Sequence, residues 1–341
     1  MPKVTIFVGL DYHKESIQVC VMDHAGTVLC NRSCGNDVPE VARLVACYGD
    51  DVRGAIEACN GAADLADELI AGHGWDLSLA HPGYVNRMKQ SPDKSDYSDA
   101  KMLADLVRVG YLPKVWLAPE AIRQLRTLVR YRQQLVHERR AVKLRITALL
   151  RDARVEEPPG RRWGRAWREW LKTTAALGSE ARWVVDQHCA NLQRLDEALL
   201  AAEVRLAQVT AEDPIVAQLR TYAGVGPVTA WVLRAEIGRF DRFRSGKQLA
   251  RSCGLSPRNA SSGPRQADAG LIKAGNELVR ATVLEAAHRL IRYDARWKGL
   301  ATTLRAAGKP ACVVAAAVGN RWVRWLYHQI RGGPLVQPSA A

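Results

Sequence analysis

The sequence has few of the features that mark zinc-binding, secreted or membrane-spanning proteins. Its eight cysteines include no Cys-x-x-Cys pair, and none has a histidine at zinc-ligand spacing. No apolar run approaches the roughly 20 residues that a transmembrane helix needs. Asp11 interrupts the first apolar run, so no signal peptide is recognised. These absences predict a cytoplasmic protein that binds neither structural zinc nor a membrane.

Charge is distributed unevenly along the 341 residues, of which 48% are hydrophobic and 25% charged. Residues 1–112 carry ten Lys/Arg against sixteen Asp/Glu (net −6), 121–172 carry fifteen against five (net +10), and 213–341 carry twenty against seven (net +13). This composition is that of a globular chain with two or three domains. The acidic front and basic remainder predict a cation-binding module joined to segments that bind a polyanion, with nucleic acid as the partner.

Residues 1–112 have the pattern of an α/β domain. Apolar and β-branched runs at 4–10, 17–22 and 27–30, the last two joined by a turn at 23–26, predict a three-stranded meander. Helical and strand patterns then alternate at 39–48, 52–56, 62–71 and 77–80, before a helix that begins at Asp96. This order predicts a mixed sheet and resembles the RNase H-like fold.

Four carboxylates stand at strand ends and at a helix start in this domain. Asp11 ends the first strand, Glu57 ends the fourth, and Asp96 and Asp99 share one face of a first helical turn capped by Ser95. The macrodipole alone favours acids in a first turn, so a simple capped helix is the alternative. Four converging carboxylates repel one another unless a cation neutralises them, and oxygen ligands suit magnesium.

Residues 113–210 are predicted to form a basic coiled-coil arm. A long amphipathic helix ends near Pro158-Pro159-Gly160, and a second runs over residues 179–210 with a leucine seam. Such an arm could dimerise, hold nucleic acid, or do both. Trp163, Trp167 and Trp170 between the helices are either a packing stripe or a contact for nucleic acid.

Residues 211–341 are predicted to be mostly helical. Gly224-Val225-Gly226 lies between two helical patterns, which resembles a helix-hairpin-helix binder of DNA backbone, although a plain tight turn fits the same glycines. Residues 253–263 are predicted to form a turn-rich loop with Ser261 and Ser262, followed by cations. Such a loop suits a phosphate-attacking nucleophile, and a plain solvent loop is the alternative.

Taken together, these motifs resemble the DEDD-type serine transposases of the insertion-sequence one-ten class, the recombinases guided by a bridge or seeker RNA. The matching segments are Gly9-Leu10-Asp11 with Lys14, Ile56-Glu57-Ala58, and residues 94–100, 224–226, 254–258, 262–263 and 273–276. The chain departs from the family pattern after Glu57, where it reads Ala58-Cys59-Asn60-Gly61, and at Ala223, where a proline is common.

The resemblance implies a RuvC-like N-terminal domain whose acids Asp11, Glu57, Asp96 and Asp99 bind Mg²⁺, as two ions, with Mn²⁺ as an alternative. It also implies that Ser262, or Ser261 if the alignment is off by one, is the nucleophile of a C-terminal transposase domain. The expected partners are donor and target DNA, a guide RNA and further copies of the chain in a homodimer or homotetramer, all in the bacterial cytoplasm. Expected nucleic-acid contacts are Arg139, Arg140, Arg161, Arg162, Gly224, Gly226, Arg258, Arg265 and Lys273.

Two other functions fit part of the sequence. A RuvC-like nuclease that resolves Holliday junctions would explain the acids and the charge but gives Ser262 no role. A non-enzymatic nucleic-acid scaffold would explain only the basic segments.

Overall fold

A computed structural model of the chain describes residues 4–89, 95–259, 268–272 and 275–332. The chain divides into two compact units, Met1–Glu120 and Ala121–Ala341. The positions of Ser261, Ser262, Arg265 and Lys273 lie outside the described residues. No helix in the described ranges is long and apolar enough to cross a membrane.

The described part of the first unit contains one mixed sheet with helices packed on it. In chain order its elements are β1 (Thr5–Tyr12), β2 (Ser16–Met22), β3 (Val28–Gly35), α1 (Val38–Ala46), β4 (Asp51–Glu57), α2 (Ala62–His73), β5 (Asp76–Ala80), α3 (Pro82–Met88), α4 (Asp96–Arg108) and β6 (Lys114–Val115). The strand order is β3-β2-β1-β4-β5-β6. β1 pairs antiparallel with β2 and parallel with β4, so the predicted mixed sheet and meander are confirmed.

Alternate residues of β1 pack against different elements on the two faces of the sheet. Ile6, Val8 and Leu10 are fully buried in the larger apolar cluster of the unit, while Gly9 points to the opposite face. A Cβ on Gly9 would collide with the carbonyl oxygen of Ala100 and lie 2.6 Å from the backbone nitrogen of Ala104. Glycine is therefore required for α4 to approach β1 this closely.

The elements differ from the sequence prediction chiefly in four places. β3 extends to Gly35, well beyond the predicted end at residue 30. The short α3, with Pro82 in its first turn, and the two-residue β6 were not predicted at all. Residues 253–263, predicted as a loop, include a strand, described below.

Two long antiparallel helices begin the second unit. α5 (Glu120–Asp152) is followed by α6 (Arg165–Thr173) and α7 (Ser179–Val209). Ion pairs of 2.7 Å between Arg132 and Glu203 and of 2.6 Å between Arg139 and Asp196 establish the antiparallel register. Apolar residues of α5, α6 and α7 form one core between the helices: Leu135, Val142, Ile146, Leu150, Trp167, Leu171, Val185, Leu192, Leu195 and Ala202.

The tryptophans around α6 pack against one another. Trp167 is only 4% exposed, and its ring centroid lies 4.5 Å from that of Trp163 and 5.6 Å from that of Trp170. The indole nitrogen of Trp167 donates a hydrogen bond of 2.9 Å to Glu157. Trp167 therefore belongs to the packing stripe, the first of the two interpretations.

The rest of the second unit is a helical core with a short β-ribbon. Its elements are α8 (Pro214–Arg220), α9 (Pro227–Ile237), α10 (Gly246–Ser252), β7 (Pro257–Asn259), β8 (Asp268–Leu271), α11 (Glu277–Tyr293), α12 (Ala295–Ala306) and α13 (Ala311–Gly332). β7 pairs antiparallel with β8, which corrects the loop prediction there. Leu125 and Val129 of α5 and Leu206 of α7 belong to this core, so the arm is continuous with it. The division of the chain at residue 210 stays a prediction.

Candidate functional site

The predicted acids lie at one edge of the mixed sheet. Leu10 pairs with Ile56 on the neighbouring parallel strand, so Asp11 and Glu57, the next residues, end adjacent strands on the face that α4 covers. Ser95 caps α4 by accepting a hydrogen bond of 3.2 Å from the backbone nitrogen of Ser98. This cap fixes the first turn of α4, which carries Asp96 and Asp99.

A histidine that was not among the predicted site residues joins two of the acids. His13 Nε2 lies 3.4 Å from Asp11 Oδ2 and 3.2 Å from Asp96 Oδ2. Asp11, His13 and Asp96 each offer one ligand atom, and the three atoms lie within 4.8 Å of one another. The available signal was position: His13 is two residues beyond Asp11, and alternate residues along an extended segment share a face.

Asp99 has a separate partner. Its carboxylate, only 12% exposed, lies 2.7 and 2.8 Å from the Lys89 ammonium through its two oxygens. Lys89 follows α3, the short helix that the sequence pattern did not predict. Asp99 is therefore neutralised by a cation of the protein itself. Among the described residues, the group of three close ligand atoms contains Asp11 and Asp96 but neither Asp99 nor Glu57.

The charges of the site act on one another. Burial raises the pKa of Asp11, His13 opposes this increase, and the negative charges of Asp96 and Asp99 add to it. Burial also raises the pKa of the Cys59 thiol, with contributions from the charges of Glu57 and Asp11. Burial is the largest cause of both raised pKa values and neighbouring carboxylates add to it; a cation bound beside Asp11 would favour its ionised form and oppose both effects.

The donor set fits a divalent cation. Two carboxylates and one imidazole could bind the same ion, and Asp99, although paired with Lys89, stands close enough for its charge to act on Asp11. Carboxylate oxygen suits Mg²⁺ and Mn²⁺, whereas imidazole nitrogen is favoured by later transition metals. The presence of His13 shifts the site away from the all-oxygen set that the sequence predicted.

A buried carboxylate joins three helices of the second unit. Glu236, with a side chain only 2% exposed, accepts hydrogen bonds of 2.8 and 3.0 Å from Arg130 and one of 2.7 Å from Asn276. Asn276 also caps α11 by accepting a bond from the backbone nitrogen of Val279. α5, α9 and the start of α11 therefore meet at Glu236, which the sequence reasoning missed.

Gly254 and Gly275 make the closest backbone approach in this region. A Cβ on Gly275 would collide with the backbone nitrogen of Gly254 and lie 2.6 Å from its Cα. The backbone nitrogen of Asn276 donates to the carbonyl of Ser252 at 3.1 Å. The glycines of the two matching segments, 254–258 and 273–276, are thus explained by packing of one segment on the other.

The predicted nucleic-acid contacts have different surroundings. Arg139 is paired with Asp196, and Arg162 with Glu157 at 2.6 and 2.8 Å, whereas Arg140, Arg161 and Arg258 are exposed. Gly224 has a positive φ of 78°, and its carbonyl accepts hydrogen bonds from Arg289. Gly226 is the N-cap of α9. The predicted glycine turn between two helices is confirmed, and its contact with DNA stays a prediction.

Comparisons with known proteins agree with the motif pattern. A family model for DEDD-type IS110 transposases matches residues 8–154, and the model described as "Transposase IS116/IS110/IS902 family" matches residues 216–302. The two matches include the acidic edge of the first unit and the α8–α12 region of the second.

Curated relatives align along nearly the whole chain. The transposase for insertion sequence element IS1111A of Coxiella burnetii is 26% identical over 93% of this chain and 88% of its own length. A probable family 20 transposase of Pseudomonas aeruginosa is 28% identical over 94% and 95%. The transposase for insertion sequence element IS1328 of Yersinia enterocolitica is 26% identical over 95% and 97%.

Proposed function

Since the chain belongs to the IS110 family of transposases, we propose that it cuts and rejoins DNA through a cation-binding acidic site and a serine nucleophile. The observation that carries the proposal is the convergence of Asp11, His13 and Asp96 within 4.8 Å, with Asp99 and Glu57 beside them. Chemistry of this kind needs acids that hold a cation near a phosphodiester.

The sheet order supports an RNase H-like, RuvC-like assignment for the first unit. An antiparallel meander followed by two parallel strands, with acids at the ends of β1 and β4 and on α4, is the arrangement expected for that fold. Asp11, Asp96 and His13 would hold the divalent ion, Glu57 would add a negative charge at the end of the neighbouring strand, and Asp99 would contribute only on release from Lys89. When bound, Mg²⁺ or Mn²⁺ supplies Lewis acidity to a phosphate oxygen.

Ser262 is the proposed nucleophile. Its hydroxyl oxygen attacks a DNA phosphorus, the bond from phosphorus to the leaving strand's oxygen breaks, and the hydroxyl proton is transferred to a base. The resulting serine–DNA ester conserves the phosphodiester bond for rejoining to another strand. The second unit carries twenty Lys/Arg against seven Asp/Glu over residues 213–341, so bases are scarce there. We infer that the acids of the first unit assist, from the same chain or from another protomer of a homodimer or homotetramer.

A guide RNA is the proposed second nucleic-acid partner. The net charge of +10 over residues 121–172 supports a polyanion on the arm, and Arg140 and Arg161 present exposed guanidinium groups there. Sequencing of RNA that co-purifies with the protein tests this part of the proposal. An absence of enriched RNA would leave a DNA transposase without a guide.

A complementation experiment tests the mechanism. Asp11→Ala and Ser262→Ala proteins, each expected to be inactive alone, are mixed and assayed for strand exchange and for a covalent DNA adduct. Restored exchange with an adduct on Ser262 supports a site shared between protomers. Failure to complement in proven mixed oligomers indicates a site within one chain. An adduct on Ser261 reassigns the nucleophile, and metal-dependent cleavage without any adduct favours a resolvase-like nuclease.

A further inference from the structure

Two grooves of the second unit lie side by side and share two arginines. The first, of about 890 Å³, runs between the β7–β8 ribbon and the start of α13, with Lys247, Lys309, Arg321 and Arg324 along it. The second, of about 530 Å³, lies between α12 and α13 and is lined by Arg296, Arg321, Arg324 and His328. Because Arg321 and Arg324 line both, the two grooves adjoin at these side chains, and together they are here called the α13 groove.

The α13 groove differs in charge from two other grooves formed by the described residues of the second unit. The described residues that line its two halves include no Asp or Glu. By contrast, carboxylates line the groove at the glycine turn (Glu285 and Asp294) and the groove beside Glu236 (Glu138, Glu236 and Glu277). Five Lys/Arg with His328 and no lining carboxylate therefore create an unbalanced positive potential along the α13 groove.

Arg296 is held in position by aromatic rings. Its guanidinium lies 4.9 Å from the ring centroid of Trp297 and 5.7 Å from that of Trp325. Trp297 is 5% exposed, and the Trp325 ring packs edge-on against Trp297 and Tyr222. A guanidinium held on ring faces loses little entropy when it binds, and its planar donors match phosphate oxygens.

The floor of the first groove is formed by apolar side chains, most of them small. Leu255, Pro257, Val313, Ala316 and Ala317 line it, and Val313 is 45% exposed. Cations along an apolar floor fit a nucleic-acid strand, whose phosphates meet the cations while sugars and bases cover the apolar surface. A purely ionic ligand would gain nothing from that floor.

Chain connectivity relates this surface to the proposed nucleophile. Pro257 in β7 and Gly270 and Leu271 in β8 line the groove, and Ser262 lies between these strands in sequence. In sequence, only two residues separate Ser262 from Asn259, the last residue of β7. The proposed point of attachment of the DNA therefore belongs to the connection between two strands that line the α13 groove.

We propose that the α13 groove binds the backbone of the DNA strand that Ser262 cuts, with Arg296, Arg321 and Arg324 as its phosphate contacts. The surface extends from the β7–β8 ribbon to His328 on α13 and guides this strand away from the nucleophile. The choice of the cut DNA strand over guide RNA rests on the proposed role of Ser262. The evidence for the cationic surface itself comes only from described side chains and does not depend on Ser262.

The test measures DNA affinity of the full chain against salt concentration, using a fluorescent single-stranded oligonucleotide and a duplex of the same length. Arg321→Gln with Arg324→Gln should weaken binding of single-stranded DNA about 10- to 100-fold at low salt. The slope of log affinity against log salt should become shallower by about 1.4, roughly 0.7 for each lost phosphate contact. The matched control, Lys298→Gln with Arg305→Gln, removes the same charge from exposed positions of α12 outside both groove linings and should change the slope little.

Arg324 is partly buried beside Gly246, so its substitution could lower DNA affinity by disturbing the fold. A second variant avoids this residue. Lys309→Gln with Arg321→Gln changes two exposed side chains and should give a similar change of slope. Equal slopes for wild type, groove variants and control would overturn the proposal. A larger loss for RNA than for DNA of equal length would overturn it too, because the surface would then be an RNA site.

Measurements on a Ser262→Ala protein separate this proposal from the proposed function. The groove variants should weaken DNA binding equally in the presence and absence of Ser262. If no Ser262 adduct forms but the groove variants still lose affinity and slope, the serine mechanism fails and the DNA surface stands. If the adduct forms normally in variants with unchanged DNA affinity, the groove is not the path of the strand and the serine mechanism stands.

Discussion

Glu236 and Asn276 are joined by a hydrogen bond of 2.7 Å, although 40 residues separate them in sequence. The same carboxylate accepts two hydrogen bonds from the Arg130 guanidinium on α5. A charge that is 2% exposed is stable only with such partners, since an unpaired buried carboxylate is strongly disfavoured. The start of α11 is thereby tied to the long arm helix α5.

Removing this carboxylate should destabilise the second unit. We expect Glu236→Ala to lower the free energy of unfolding by about 2–4 kcal/mol, because Arg130 and Asn276 both lose their acceptor. Arg130→Ala should cost about 1–3 kcal/mol, since it leaves the carboxylate with fewer donors. Arg140→Ala, at an exposed position of the same helix, is the control and should change stability by less than about 0.5 kcal/mol. Denaturant titration measures all three, and a neutral Glu236→Ala would contradict the assigned role.

Gly9 should be intolerant of any side chain. Gly9→Ala places a methyl group against the backbone of Ala100 and Ala104, so we expect a loss of about 3 kcal/mol or more, or failure to fold. Gly72→Ala is the matched control, because Gly72 lies inside α2 with open space at its Cβ position. There the change should stabilise the protein by about 0.5–1 kcal/mol. Similar thermal midpoints for the two variants would show that β1 and α4 have more freedom than the structure indicates.

Asp11→Asn should not destabilise the protein at neutral pH in buffer without divalent ions. The pKa of folded Asp11 is raised above its ordinary value, so the folded state holds the proton more tightly than the unfolded state. The ionised carboxylate therefore opposes folding at neutral pH, and this penalty is lost as the pH falls through the folded and then the unfolded pKa. We expect the variant to equal or exceed wild type in thermal stability at pH 7, with the difference shrinking in acid. A clear loss of stability at pH 7 would contradict the electrostatic account.

Addition of Mn²⁺ or Mg²⁺ should make the wild-type protein more stable than Asp11→Asn. A cation that binds only the folded wild type raises its stability in proportion to the logarithm of ion concentration, and Asp11→Asn should respond much less. His13→Ala should weaken Mn²⁺ binding by about tenfold or more, because it removes the imidazole donor that lies 3.2 Å from Asp96. His24→Ala, an exposed histidine at the β2–β3 turn, is the control. Equal Mn²⁺ affinities for the two histidine variants by calorimetry would remove His13 from the site.

Strong local patterns were enough to predict much of the architecture. The alternation in β1 and β2 and the periodicity of α5 and α7 are properties of neighbouring residues, so they can be read without tertiary structure. The β7–β8 ribbon could not be predicted in this way. Its strands are three and four residues long, and their pairing depends on chain reversal rather than on local pattern.

The residues of the candidate site also differ in whether a local sequence pattern could predict them. Asp11 and Asp96 were predicted because acids at strand ends and in a capped first turn have a positional signal. Lys89 has no such signal, since a lysine after a short helix is an ordinary surface residue until the tertiary fold brings it to an acid. His13 has only its spacing of two residues from Asp11, which shows a shared face but not the contact with Asp96. Glu236 was missed for a related reason: its partners Arg130 and Asn276 are 106 and 40 residues away.

The close approach of Gly9 to Ala100 and Ala104 has a consequence for how this gene decays. The contact between β1 and α4 is made by backbone and small residues, so it does not depend on the carboxylates of Asp11 or Asp96. If those acids serve DNA cutting as proposed, we expect a gene copy that loses one of them by mutation to encode a chain that still folds. If that chain also keeps the proposed DNA surface, it would compete with active copies for the same DNA, and accumulated damage would itself restrain the spread of the element within a genome.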